Sequence, residues 1–542
     1  MLKEAQSHSA QSSLDWFNTR KQILKSIKQR VTKILGNPGL ELQFYAKQYD
    51  REIRRSWKVS SKQKLVNKIN TSDIVFGADF HAHAQAQRTH LRILRSLSTQ
   101  RKITLALECF ESRDQKIIDL YMNGKISEKK FLNKISWNKK WGFSWQHYKP
   151  LLQLAKDREY KVIGLNKYYA YTNRHTLANR EQHAANILAE NVKTSEGELV
   201  YVIFGELHLS NKHLPTKFEK ALKRKVSATV IFQNVEKIYF DLIKKKKELT
   251  VDVVQFSQNE FCILNSPPWV KWQSYLLYLE KATDYDHENS ENSQLILDMF
   301  INQLELLKTE FHLQLETGHL SVFGPGDLDI RTFTQDGRLS KPEIQHMQDQ
   351  ILSGHSFVIP QFHAVYIARI SLNHISMMAG EWLYTSCAKT VHVPWNMPED
   401  FTKLIWLESM GFFCSKILNP ARKLDTIEDL TKKAYQNRER EVDVLKICVS
   451  FKHHETSKLA AIKKWDFKSR HKSSYFEAAR KLGAMMGEQM FWGYRNGTIR
   501  RRLALDWLKV STDSKSFDRF YFEVSRILNR LPVIMKSKEE RL

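Results

Sequence analysis

At 542 residues the chain exceeds what one hydrophobic core supports, and 42% hydrophobic with 11% aromatic residues can build more than one, which excludes a disordered chain. Lysine and arginine number 85 against 59 acidic residues, a formal charge of +26 that suits nucleic acid, anionic lipid or acidic ligands without choosing among them. The five cysteines form no CxxC pair, which argues against a disulfide framework or a Cys-rich zinc site and for a reducing compartment.

The first residues carry no apolar h-region and no lipobox cysteine, and no window approaches 18 uninterrupted apolar residues. The expectation is a cytoplasmic protein without a signal peptide or transmembrane helix. Residues 13–35 form an amphipathic helix, with Phe17, Leu24, Ile27, Val31 and Ile34 on one face and a basic remainder. It either packs on the main domain with a solvated basic face or meets a membrane surface or partner. Gly36-Asn37-Pro38-Gly39 ends it. Residues 40–70 read as helix and connector, and 1–64 together as a basic helical extension.

Between 65 and 265 the pattern changes. Short runs, nearly continuous in apolar residues, appear at 73–77, 103–107, 161–165, 199–204 and 228–232, as strands buried on both faces require. Helical patterns separate them at 84–98, 112–158, 174–193 and 212–224, and two extended runs follow at 251–255 and 260–264. Such alternation predicts an α/β domain with a mainly parallel sheet flanked by helices, every strand ending on one edge. From 269 to 542 the sequence predicts a mostly α-helical domain. Its candidate helices include 269–283, 361–388, 399–418, 455–465 and 472–494, with a polar loop at 284–293 and an irregular segment near 324–326. Two of these helices share a Met-Met…Gly-Glu phrase, at 377–381 and 485–488, which reads as close-packed core.

The strand ends carry the chemistry. The first strand leads into Gly77-Ala78-Asp79-Phe80-His81, the second ends at Glu108, the third at Asn166, and the fourth runs into Gly205-Glu206-Leu207-His208. Ligands of open α/β sheets bind outside these ends. His81, Glu108, Glu206 and His208 are the candidate catalytic residues. As two imidazoles and two carboxylates they suit a divalent metal that activates water, or a general base oriented by a carboxylate. Trp137, Trp141, Trp145 and Tyr148 lie at near-helical spacing, either as core or as a stacking surface for a flat ligand, with His147 or Tyr148 as axial donor to an iron. Arg180 sits on a predicted helix, where it holds an anion at the sheet edge or is a surface charge.

From about residue 70 to 240 this ordered set resembles the ChaN-like family of the haem-binding-uptake and Tiki superfamily. The resemblance rests on the His-bearing first strand end, Leu105-Ala106-Leu107-Glu108-Cys109-Phe110-Glu111, Gln115, the Trp137 to Leu151 block, Asn166, the Arg180 helix and Gly205-Glu206-Leu207-His208. It implies an α/β fold and one of two activities. One is haem binding, with His147, Tyr148 and Arg180 as cofactor residues. The other is metal-dependent hydrolysis at His81, Glu108, Glu206 and His208. The first motif departs from the family's Gly-Glu-x-His, so Asp79 takes the acidic place or that place is lost. The expected ligand is a small molecule or peptide at the strand ends. The alternative is a non-enzymatic module that docks an anionic partner or surface through its basic helices.

Overall fold

A computed structural model describes residues 2–98, 101–168, 175–194, 197–283, 291–317, 319–324, 337–435, 439–457, 465–469 and 471–531. The chain divides into two compact units, Arg20–Ala282 and Met1–Thr19 with Thr283–Arg541.

The first unit begins within the helix α1 (Leu2–Leu35), at Arg20, and continues with α2 (Leu40–Glu52), β1 (Lys58–Ser60), α3 (Lys62–Asn70), β2 (Ile74–Asp79) and α4 (Ala84–Ser96). Next come β3 (Ile103–Glu111), α5 (Gln115–Met122), α6 (Glu128–Lys134), α7 (Trp137–Lys140), α8 (Trp145–Asp157), β4 (Lys161–Asn166) and α9 (Thr176–Thr194). The unit closes with β5 (Leu199–Gly205), α10 (Leu214–Leu222), β6 (Ala228–Gln233), α11 (Glu236–Lys244), β7 (Val253–Ser257), β8 (Glu260–Ile263) and α12 (Pro268–Thr283). Eight strands form one sheet in the order β1-β7-β8-β6-β2-β5-β3-β4. The six from β8 to β4 run parallel, while β7 is antiparallel to both of its neighbours. Every residue of β2, β3 and β5 is buried, because helices cover both faces. The α/β class with a mainly parallel sheet is as expected, and β1 adds an antiparallel edge strand within the segment read as connector.

This strand order positions the site. β2 lies between β5 and β6, with Asp79 opposite Gly205, and β3 lies on the other side of β5, with Leu107 opposite Ile203. The ends of β2 and β5, with Asp79 and Gly205, are therefore adjacent to Glu108, which lies inside β3 because that strand continues to Glu111 beyond the expected end. The aromatic block is core: Trp137, Trp145 and Tyr148 are buried, and the rings of Trp137 and Trp145 meet edge to face at 5.1 Å. Likewise α1 turns Ile23, Leu24, Ile27 and Val31 inward, which favours the packed reading of that helix.

The second unit is mostly helical. Its central helix, Phe401–Leu418, is buried almost all round and lies against Leu372–Ala388 and Lys472–Arg495, the two helices that share the Met-Met phrase. A three-stranded sheet, β9 (Ser321–Phe323), β10 (Phe357–Ile359) and β11 (Ala364–Tyr366), corrects the single helix expected over 361–388. His363 in the left-handed conformation and Pro360 turn the chain there, and the helix starts only at Leu372, capped by Ser371. A helix over Glu439–Thr456 precedes the stretch where one was expected at 455–465. Residues 284–290, 325–336 and 458–464, which hold parts of the expected loop, irregular segment and helix, lie outside the described residues.

Gly487 shows how tight this packing is. A Cβ there would lie 2.6 Å from Ser409 O and 2.9 Å from Phe413 N, both backbone atoms of the central helix. Gly487→Ala gains about 1 kcal/mol of helix propensity. Overpacking against rigid backbone costs about 1–3 kcal/mol. The expected result is net destabilisation, read as a lower urea midpoint at unchanged slope.

Candidate functional site

The site forms where β2 and β5 end, beside Glu108 of β3. His81 Nδ1–H donates to Asp79 Oδ2 at 2.9 Å, and His81 Nε2 lies 3.7 Å from Glu108 Oε2. Glu108 Oε2 accepts the Gly205 backbone N–H at 2.6 Å, and Oε1 accepts from Arg180 Nη2 at 2.6 Å. Arg180 Nε donates to Asn166 Oδ1 at 3.0 Å. Gly205 permits this convergence. A Cβ on it would stand 3.3 Å from Glu108 Oε2 and 3.4 Å from both His81 Nε2 and His208 Cδ2. Asp79 is thus the carboxylate that meets His81 in the altered first motif. Its carboxylate also accepts from the Tyr148 hydroxyl at 2.8 Å and from Gln87.

Electrostatics follow from these contacts. Burial opposes the charge of Asp79, but the hydrogen bond and charge of His81 and the Tyr148 hydroxyl hold its pKa below the usual value. Burial likewise opposes a charged His81, yet Asp79 and then Glu108 outweigh it and raise the imidazole's pKa. A histidine shifted toward its protonated form is a poorer general base.

Glu206 turns away from this group, and His208, whose Cδ2 borders it, directs its Nδ1 to a different partner. Both oxygens of Glu206 lie 2.7 Å from Lys271 Nζ on α12, and Tyr49 of α2 reaches it at 3.4 Å. His208 Nδ1 lies 2.7 Å from Glu181 Oε1 on α9, and Glu181 also meets Lys217 Nζ at 2.6 Å and His213 Nδ1 at 3.3 Å. Burial works against the Glu181 charge, but these three partners hold its pKa down at about 2. His81, Glu108, Glu206 and His208 therefore do not make the single ligand set expected of them. Their carboxylates are engaged by Arg180 and Lys271, and a bound divalent ion would have to displace both cations. Among the described residues no group of three or more His, Cys, Asp or Glu stands in metal-holding geometry.

The cofactor candidates also separate. Tyr148 is buried, its hydroxyl donates to Asp79, and burial with that neighbouring charge keeps it a phenol, which removes it as an axial donor. Arg180 holds Glu108 rather than a free anion. His147, one residue earlier on α8, lies about 100° around the helix from it. It is half-buried, and its Nδ1–H donates to the His81 carbonyl oxygen at 3.1 Å. Burial lowers its pKa, so the ring is neutral with its Nε2 lone pair free of the proton. Tyr45, Tyr49, Lys271 and Ser274, which hydrogen-bonds His83 at 3.0 Å, come from α2 and α12. Sequence reading missed them because no local pattern marks a residue that reaches the sheet edge from outside the strand motifs.

With this geometry in view, residues 65–176 match the family model described as "Haem-binding uptake, Tiki superfamily, ChaN". The resemblance read from the strand-end motifs thus stands over that segment. No curated protein matches the chain. Among solved structures it is similar to the one titled "Cofacial heme binding to ChaN of Campylobacter jejuni", at 16% identity over 33% of this chain and 88% of that one, with a TM-score of 0.28. Among the described residues no helix is long and apolar enough to cross a membrane.

Proposed function

We propose that the α/β unit binds haem at the carboxyl edge of its sheet, with His147 as the side chain that ligates the iron. The observation that carries this reading is the state of the His147 ring. A backbone carbonyl fixes Nδ1 as the protonated nitrogen, which leaves Nε2 as a lone-pair donor, the arrangement that orients metal-bound histidines. The family matched over 65–176 is a haem-binding one, and His147 lies inside the matched segment. Neighbouring groups suit a flat, anionic macrocycle. Trp141 and Phe143 are partly exposed aromatics packed at 4.5 and 5.1 Å from the His81 ring, and Arg88, exposed on α4, is close enough to lower the pKa of His147. When bound, the haem iron supplies a coordination position for Nε2. The chain's own part is to hold that nitrogen neutral and aimed.

The metal-dependent hydrolase reading has less support, because the carboxylates it needs are ion-paired with Arg180 and Lys271.

The test is haem titration of the full chain, followed by its Soret band. His147→Ala should shift or abolish the band, whereas Tyr148→Phe should leave its position unchanged. An unaltered spectrum in His147→Ala would overturn the assignment. A histidine ligates only when deprotonated, and burial holds His147 below its ordinary value of 6.5. The acid-induced loss of the liganded spectrum should therefore have its midpoint below pH 6.5.

A further inference from the structure

The turn between α1 and α2 presents apolar side chains to solvent in a way that no other stretch of the described residues does. Of the fifteen large hydrophobic residues exposed among the described residues, five fall within 34–44. They are Ile34, Leu35, Leu40, Leu42 and Phe44, with Leu40 at 82% and Phe44 at 56% exposure. Single exposed apolar residues are ordinary, but a cluster in eleven positions marks an interaction surface. The turn is firmly mounted. Ile27 and Val31 anchor α1 in the core, Tyr45 and Tyr49 anchor α2, and Gln43 Nε2 donates back to Pro38 O at 2.7 Å.

Charge says what covers it. On α2, Leu40, Phe44, Lys47 and Arg51 follow one another at spacings of four, three and four, so they share one stripe with apolar residues at the turn and cations behind them. Lys25 and Lys33 line the adjoining end of α1, and all four cations are exposed. The carboxylate of Glu41 is turned inward, where it accepts the backbone N–H groups of Leu177 and Ala178 at 3.1 Å each. Asp50 alone brings an exposed negative charge to this stretch. Protein interfaces are depleted in lysine, whereas aliphatic and Phe tips behind a belt of lysines suit the headgroup boundary of an anionic bilayer.

We propose that the α1–α2 turn docks the protein on an anionic lipid surface, with Leu40 and Phe44 entering the headgroup boundary and Lys33, Lys47 and Arg51 facing the lipid phosphates and carboxylates. This docking does not depend on haem binding.

Co-sedimentation of the full chain with phosphatidylcholine vesicles, with and without phosphatidylserine, tests it. The parent should bind the anionic vesicles and leave the neutral ones, with weaker binding as salt rises. A chain of charge +26 can adhere to anionic lipid without using this turn, so the deciding variant is Leu40→Ser with Phe44→Ser, which leaves net charge unchanged. Its partitioning should fall at least ~10-fold. Lys33→Gln and Lys47→Gln should each reduce it roughly fivefold. All four side chains are exposed, and an unchanged melting curve confirms folding. No binding to anionic vesicles, or equal binding by the Leu40→Ser/Phe44→Ser variant, overturns the proposal. So does self-association of the parent that this variant abolishes, which would make the turn a contact between copies of the chain.

Discussion

Asp79→Ala should lower the unfolding free energy by about 3–5 kcal/mol, the cost of removing one member of a buried charged pair. Asp79 is 4% exposed, and its carboxylate serves His81, Tyr148 and Gln87 at once. The truncation removes the nearest carboxylate from the His81 ring and leaves two buried donors without their acceptor. Tyr148→Phe removes only one hydrogen bond of the same group and should cost about 1 kcal/mol. The pH dependence separates this account from simple cavity formation. Asp79 is held below its unfolded value of 3.8, so its contribution is present above that pH and is lost as pH falls through the folded pKa. His81 is held above its unfolded value of 6.5, so its contribution is complete below 6.5 and is lost as pH rises through the folded pKa. The gap between parent and variant, from urea titrations, should be widest between pH 3.8 and 6.5 and shrink on either side. A gap constant across this range would mean that lost packing, not the ion pair, sets the cost.

Much of this unit is legible in the sequence, and the exceptions have physical reasons. Strands buried on both faces announce themselves as apolar runs, so β2, β3 and β5 stand out. The two-residue spacing of Asp79 and His81 makes Asp79 a visible candidate for the acidic partner, and their hydrogen bond shows it meeting His81. The fate of Glu206 and His208 is not visible. They sit on a 3₁₀ turn, Glu206–Leu209, where residues two apart do not share a face, so one reaches α12 and the other α9. His147 and Tyr148 are likewise one step apart on α8, and a helix sends such neighbours in different directions. Three-residue strands such as β1 and β10 are too short to carry a period, and β1 is mostly exposed as well. The shared Met-Met phrase does predict close packing. Its glutamates are the surprise: Glu381 and Glu488 are both buried against the central helix.

Glu488 yields the second large effect. Its Oε2 lies 3.0 Å from Lys416 Nζ, with the side chains 0% and 2% exposed, and its Oε1 accepts from Trp492 Nε1 at 3.0 Å. Lys416 Nζ also donates to Pro420 O and Arg422 O at 2.7 and 3.0 Å, which ties the end of the central helix to the loop that follows. Lys416→Met removes the cation beside a buried carboxylate in the helical core and should cost about 3–5 kcal/mol. Glu488→Leu strands the ammonium, which keeps its two carbonyl acceptors, so its cost should be smaller. The double variant should be much less destabilised than the sum of the singles, because buried ion pairs replaced by apolar side chains of similar volume are often neutral or better. A double-mutant cycle from chemical denaturation measures this directly. Additive losses would show that the lysine acts through the two carbonyls and the helix end alone. A strongly coupled pair would show that the shared phrase preserves a charged contact inside the core, where the glycine before each glutamate lets the central helix approach.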